Sequence, residues 1–99
     1  MDKVLSLLGL CKKAGRLASG SFAAEKALKE GKAQLVIIAE DASENTKKLF
    51  RDKCGYRSVP VVLYGTKDEI GKVTGASERA CIAVLDSGFA GSIIRQIRL

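Results

Sequence analysis

Histidine and tryptophan are missing from the 99 residues, proline occurs once, and there are three cysteines. Without an imidazole, Ser-His and Cys-His catalytic pairs and histidine-bearing zinc sites are excluded. Cys11, Cys54 and Cys81 never come closer than 27 residues in sequence, so no paired-cysteine metal motif is on offer. An odd number of cysteines, each set in an apolar periodic segment, reads as reduced thiols in the core of a cytoplasmic protein. Long apolar runs are lacking too. Nothing approaches the roughly 20 residues of a membrane span, and the start, which carries Asp2 and merges into an amphipathic pattern, does not read as a signal peptide. No metal, no cofactor and no membrane partner is expected.

What remains is ordinary globular material: 46 % hydrophobic residues, no low-complexity segment, and a length that fits one domain spanning residues 1–99. Lys and Arg outnumber Asp and Glu by 17 to 11, a formal charge of +6. A surplus of that size on a small chain favours a polyanionic partner, nucleic acid first.

The organising stretch is 33–48. Leu35-Val36-Ile37-Ile38-Ala39 is continuously apolar and too short for a buried helix, so it reads as a central strand covered on both faces. Helical patterns flank it over residues 22–30 and 43–54, the second expected to bury Leu49, Phe50 and Cys54. Ahead of these, Val4, Leu7, Leu8 and Cys11 give a first helix ending at Gly15, and residues 16–21 form a link with room for a short strand. Residues 59–64 and 80–85 are further strands. Thr66-x-x-Glu69 has capping-box spacing for a fourth helix, and Asp86 or Ser87 caps a fifth. The pattern predicts an α/β fold: a three-layer α/β/α sandwich around a mixed sheet of about four strands.

Gly15 and Gly20 stand at the interval of a phosphate-binding loop, but Ser21-Phe22 occupies the place of its Lys-Ser/Thr pair and no useful strand precedes it. That motif is rejected. Glu40 and Asp41, at the end of the central strand, are either an acid–base pair or caps for the next helix; acidic residues in a first helical turn make capping the expectation. Ser19-Gly20-Ser21, with Lys26 a turn later, is the strongest local feature. A glycine-containing helix start presents backbone donors to an anion or a base edge. The simpler outcome is a Ser-capped helix with a solvated lysine.

Several stretches, taken together and in order, resemble one family: residues 8–17 (Leu-Gly-Leu-Cys-Lys-Lys-Ala-Gly-Arg-Leu), the block 33–48, residues 70–75 (Ile-Gly-Lys-Val-Thr-Gly) and residues 84–90. The chain is similar along its whole length to the kink-turn RNA-binding superfamily of ribosomal proteins, and to its bacterial YlxQ-like members. The resemblance implies the same sandwich and a non-catalytic protein of structured, ribosomal or other RNA; no DNA partner is expected, and a monomer is favoured. In RNA-binding relatives the second helix opens with Gly, Thr or Ser, Asn, Glu, two variable residues and Lys, which meet tandem sheared G·A pairs. Gly20, Ser21 and Lys26 match; Phe22 and Ala23 stand in place of Asn and Glu. Phe22 either stacks on an unpaired base or packs down as the apolar start of the helix, with packing the expectation. A second contact region corresponds to Ala76, Ser77, Glu78 and Arg79, ahead of the last strand. Arg16, Lys32, Lys47 and Lys48 are candidate phosphate contacts.

Two readings follow. One is recognition of kink-turn-like RNA through these two regions. The other is a protein-interaction module that keeps the fold and has lost base-specific recognition, which the Phe22 and Ala23 replacements suit.

Overall fold

The computed structural model describes residues 2–98; Met1 and Leu99, the outermost residues of the expected domain, lie outside the described residues. Five helices alternate with four strands: α1 (Lys3–Lys13), β1 (Leu17–Ser19), α2 (Ser21–Lys29), β2 (Leu35–Ile38), α3 (Glu44–Arg57), β3 (Val61–Leu63), α4 (Lys67–Val73), β4 (Cys81–Val84) and α5 (Ser87–Arg98). The sheet order is β1-β4-β2-β3, with β4 antiparallel to both neighbours and β2 parallel to β3. It is the mixed four-stranded sheet that the pattern predicts.

The two apolar runs occupy the middle of the sheet. All four residues of β2 and all four of β4 are buried, whereas β1 and β3, at the edges, are only partly covered. Helix α1 packs on α4 and α5 in one layer, and α2 packs on α3 in the other. Burying Phe50, Leu8, Leu28 and the Ile side chains of β2 and β4 between these layers supplies the main stabilisation, about 1.5–3 kcal/mol for each large side chain. Pro60 immediately precedes edge strand β3, where its carbonyl still accepts from Val36 N at 3.0 Å and its missing N–H costs no ladder bond.

Two expectations need correction. Helix α3 does not end near Cys54 but continues through Gly55 to Arg57 and stops at Ser58, whose φ of 58° is left-handed. Leu49 is 43 % exposed rather than buried, because Phe50 and Cys54, at i and i+4, already define the inward stripe of α3 and Leu49 falls beside it. The three cysteines are free and buried, and burial pushes each thiol up to about 11. At neutral pH they are protonated core residues.

The register divides the sheet into two ends. Ile38 pairs with Cys81, so the carboxyl end of β2 and the start of β4 lie together; Leu17 and Leu35 both pair with Val84 at the other end. Ser19 leaves β1 at the Cys81 end, where Gly20 N donates to Cys81 O at 3.0 Å. The start of α2, the loop before β4 and the β2–α3 loop therefore converge.

Candidate nucleic-acid interface

The convergence is fixed by backbone bonds. Ala39 N donates to Ala80 O (2.8 Å), Glu40 N to Gly65 O (2.7 Å) and Arg79 N to Lys67 O (3.0 Å). The first contact region expected from sequence and the second thus sit side by side. Arg79 joins them: its Nε donates to Ser19 Oγ at 2.9 Å, and its side chain runs past Gly20 at the distance where a Cβ on Gly20 would meet Cδ and Nε at 3.7 Å.

Gly20 is the N-cap of α2, at φ 99° and ψ 162°, a conformation open to glycine and strained for other residues. No side chain caps this helix. The expected Ser cap is absent because Ser19 is engaged as acceptor of Arg79, and Ser21, already inside the helix, instead accepts a weak contact from Cys81 Sγ at 3.8 Å. The first-turn amides of α2 are left without a side-chain acceptor, at the positive end of a helix dipole.

Around this entrance Ser21, Phe22 and Lys26 are exposed and Ala23 is half-buried. Phe22 is 85 % exposed, which overturns the expectation that it packs down. Ala24, Ala27 and Leu28 fill the inward face of α2, and Phe22 projects away from that stripe. It borders a shallow hollow of about 210 Å³ shared with Glu25, Lys26 and Lys29. Lys26 has no ion-pair partner among the described residues, whereas Lys29 and Lys53 both approach Glu25, at 3.8 and 3.0 Å. The ammonium of Lys53 holds the Glu25 carboxyl below its ordinary value.

In the second region Ser77 and Glu78 are exposed, Ala76 and Arg79 half-buried. What holds this loop is Gly71. A Cβ there would lie 2.5 Å from Glu78 Cα and 2.7 Å from Glu78 N, so the loop backbone rests directly on α4. Ala76 N donates to Gly71 O at 2.8 Å, and the buried hydroxyl of Thr74 bonds Ile70 O at 2.8 Å. A mid-helix glycine costs roughly 1 kcal/mol of helix propensity; here close backbone approach requires it. Neither Gly71 nor the Ser19–Arg79 bond is visible as a site feature in the sequence, although the sequence signals a glycine inside a helical pattern.

The candidate phosphate contacts divide. Lys47 and Lys48, the fourth and fifth residues of α3, lie toward the Cys81 end; Lys48 is exposed, but the Lys47 side chain is only 15 % exposed and stands 3.8 Å from Glu44. Arg16 and Lys32 belong to the other end, where Arg16 O accepts from Leu85 N and Lys32 N donates to Ala27 O. Four extended residue steps separate Arg16 from Gly20, about 13 Å. They do not join the same surface patch as Gly20.

Of the two carboxylates at the end of β2, Asp41 has structural work. Asp41 Oδ1 accepts from Lys67 N at 2.8 Å, bracing the start of α4 rather than capping α3, whose cap is Ser43, accepting from Thr46 N at 3.2 Å. Among the described residues no cluster of His, Cys, Asp and Glu could hold a metal ion, and no helix is long and apolar enough to cross a membrane.

Known proteins can now be set beside this geometry. A solved Bacillus halodurans C protein of unknown function superposes with a TM-score of 0.95 at 38 % identity, each chain covered completely. The Giardia lamblia 15.5kD RNA binding protein shares the fold, with a TM-score of 0.79 at 22 % identity over 95 % of this chain and 81 % of its own. The RNA-binding protein YlxQ of Bacillus subtilis (strain 168) is 39 % identical over 88 residues, which are 89 % of this chain and 88 % of that protein, and the Enterococcus faecium protein of the same name is 38 % identical over 89 residues. The profile of one family matches residues 2–94. The chain belongs to the ribosomal protein L7Ae/L30e/S12e/Gadd45 family.

Proposed function

We propose that this chain is a non-catalytic RNA-binding protein that recognises structured, kink-turn-like RNA at the Cys81 end of its sheet. The observation that carries the reading is the open start of α2: Gly20 at its head, no side-chain cap, and Arg79 drawn alongside by Ser19. Free amides and a guanidinium that has no ion-pair partner among the described residues converge there, an arrangement that suits phosphate and base edges even with Glu78 next to Arg79. Lys26 extends the same surface, with Lys48 a more distant phosphate contact. The names of the Bacillus subtilis and Giardia lamblia relatives support RNA as the ligand.

Phe22 and Ala23 cannot make the bidentate hydrogen bonds that Asn and Glu would offer to a G·A pair. Each such contact is worth about 1–3 kcal/mol on the scale established for DNA. Recognition therefore leans on backbone amides, Lys26 and Arg79, and RNA affinity should fall steeply with salt.

The test is a titration against a short kink-turn RNA and against the same RNA with its tandem G·A pairs replaced, at two salt concentrations. Preference for the first supports kink-turn recognition, and equal, salt-sensitive binding to both reduces it to backbone recognition. Absence of binding to either, or a flat salt response, sinks it. The second reading, a protein-interaction module on this fold, draws on the exposure of Phe22 and would gain from that negative result.

A further inference from the structure

Of the aromatic side chains, two stand far out of the surface: Phe22 at 85 % exposure and Tyr56 at 87 %. Tyr56 borders the crevice between α2 and α3, and Phe22 stands on the face of α2 that leads into it. The hollow beside Phe22 shares Glu25 and Lys29 with a second of about 330 Å³, which is also lined by Leu28, Lys53, Tyr56 and Arg57. A continuous track thus leads from the open start of α2 toward the carboxyl end of α3. From Phe22 to Lys29 it runs seven residue steps along α2, about 10 Å.

The chemistry along it is mixed in a specific way. Lys26, Lys29, Lys53 and Arg57 supply cations, against the carboxylates of Glu25 and Asp52. Glu25 is engaged by both Lys29 and Lys53. The Arg57 guanidinium lies 6.0 Å from the centre of the Tyr56 ring, so that aromatic face already carries a cation beside it. Exposed aromatic faces interleaved with cations along a groove are the features with which proteins hold single-stranded nucleic acid, through base stacking and backbone attraction.

We infer that the α2–α3 crevice is a track for single-stranded RNA, on which Phe22 and Tyr56 each stack an unpaired base while the flanking cations follow the backbone. The inference rests on the RNA reading above for the nature of its ligand. It reaches beyond that reading in giving Phe22 a ligand of its own and in extending the interface to residues remote from Gly20. An unpaired strand leaving a kinked duplex at Gly20 would enter this crevice at Phe22.

The probes are a short unstructured oligoadenylate, a blunt kink-turn RNA, and that RNA with an oligoadenylate extension. Because Phe22 and Tyr56 are exposed, Phe22→Ala and Tyr56→Ala leave the fold intact. Each is expected to weaken oligoadenylate binding about tenfold, the order of one lost stacked base. Tyr56→Ala should remove the advantage of the extended RNA over the blunt one without altering affinity for the blunt one. The chain has no tryptophan, so Phe22→Trp provides a single tryptophan, excited selectively over the two tyrosines, whose emission falls when a base stacks on it. Failure of the blunt RNA to bind while oligoadenylate binds through both aromatics would remove the kink-turn reading and leave the track standing. Oligoadenylate that does not bind, or that binds the alanine variants as tightly as the parent, overturns the track even if the kinked RNA binds well.

Discussion

Helices α2 and α4 begin at the same end of the sheet, and their first turns are built in opposite ways. Helix α4 is closed by side chains, two of its own and one from the β2–α3 loop: Thr66 Oγ1 accepts from Glu69 N at 3.1 Å, Glu69 Oε1 accepts from Thr66 N at 3.0 Å, and Asp41 takes Lys67 N. Helix α2 begins at a glycine that offers no side chain at all. The starts of α1, α3 and α5 follow α4, each with a side-chain acceptor from Asp2, Ser43 or Asp86. Capping is therefore the rule by which this chain stabilises its helices, and the departure at α2 leaves donors facing outward beside Arg79. The contrast teaches a division of labour: α4 should govern stability, and the start of α2, with the Arg79 drawn beside it, should govern RNA affinity.

The sharpest break is expected on the closed side. Gly71→Ala places a methyl group within 2.5 Å of Glu78 Cα, a backbone atom that can yield only by lifting the loop. Overpacking of this kind costs about 2–3 kcal/mol, which outweighs the roughly 1 kcal/mol of helix propensity gained. Chemical denaturation reads the loss directly, and unchanged stability would show that the loop does not depend on α4. On the open side, Ser21→Asp supplies the negative charge that α2 lacks. Stability should rise by about 0.3–1 kcal/mol through the helix dipole, while RNA affinity falls about tenfold as that carboxylate meets phosphate. Were affinity and stability to fall together, the two starts would not differ in the way proposed.

Much of this division was legible in the sequence. Thr66-x-x-Glu69 announced the closed helix, the apolar runs of β2 and β4 announced the two buried strands, and the alternation of patterns gave the sandwich. The open start was half legible. Gly20 stands out at the head of the helix, but a serine on each side of a glycine suggests a cap, and only the fold diverts Ser19 to Arg79, a residue 60 positions away. The outward direction of Phe22 is hidden in the sequence for a related reason. An apolar residue at the head of a helix packs inward only when it lies on the buried stripe, and here Ala24, Ala27 and Leu28 already fill that stripe. Gly71 was hidden because close backbone approach leaves no trace in hydrophobic period.

A smaller test of the same contrast removes the cap of α4. Thr66→Ala deletes one half of the capping box and should cost about 1 kcal/mol of stability. Because Glu69 and Asp41 still hold Thr66 N and Lys67 N, α4 and the loop above it keep their places. RNA affinity is expected to stay within about twofold, a change below the 1.4 kcal/mol that separates tenfold steps. A large loss of affinity with a small loss of stability would mean that α4 belongs to the interface.

The smallest effect is expected at Asp2, which closes α1 and shows what a carboxylate cap does when pH is varied. Asp2 Oδ1 accepts from Val4 N at 2.8 Å and Leu5 N at 3.1 Å, and Oδ2 accepts from the Tyr64 hydroxyl. The Tyr64 bond, reinforced by the two amides, holds the Asp2 carboxyl below 3.8, and the same bond pushes the Tyr64 hydroxyl up to about 12. A depressed carboxylate contributes stability that is present above its unfolded value and lost as pH falls through its folded one. The tyrosine contributes in the opposite sense, present below 10 and lost as pH rises toward 12. Asp2 is exposed, so solvent screening reduces its share to a fraction of the roughly 1 kcal/mol typical of a cap. Stability of the parent should decline below pH 3.8 more steeply than that of Asp2→Asn, and RNA affinity at neutral pH should be the same for both. Coincident acid limbs would leave Asp2 a spectator and confine the capping argument to the remaining closed helices.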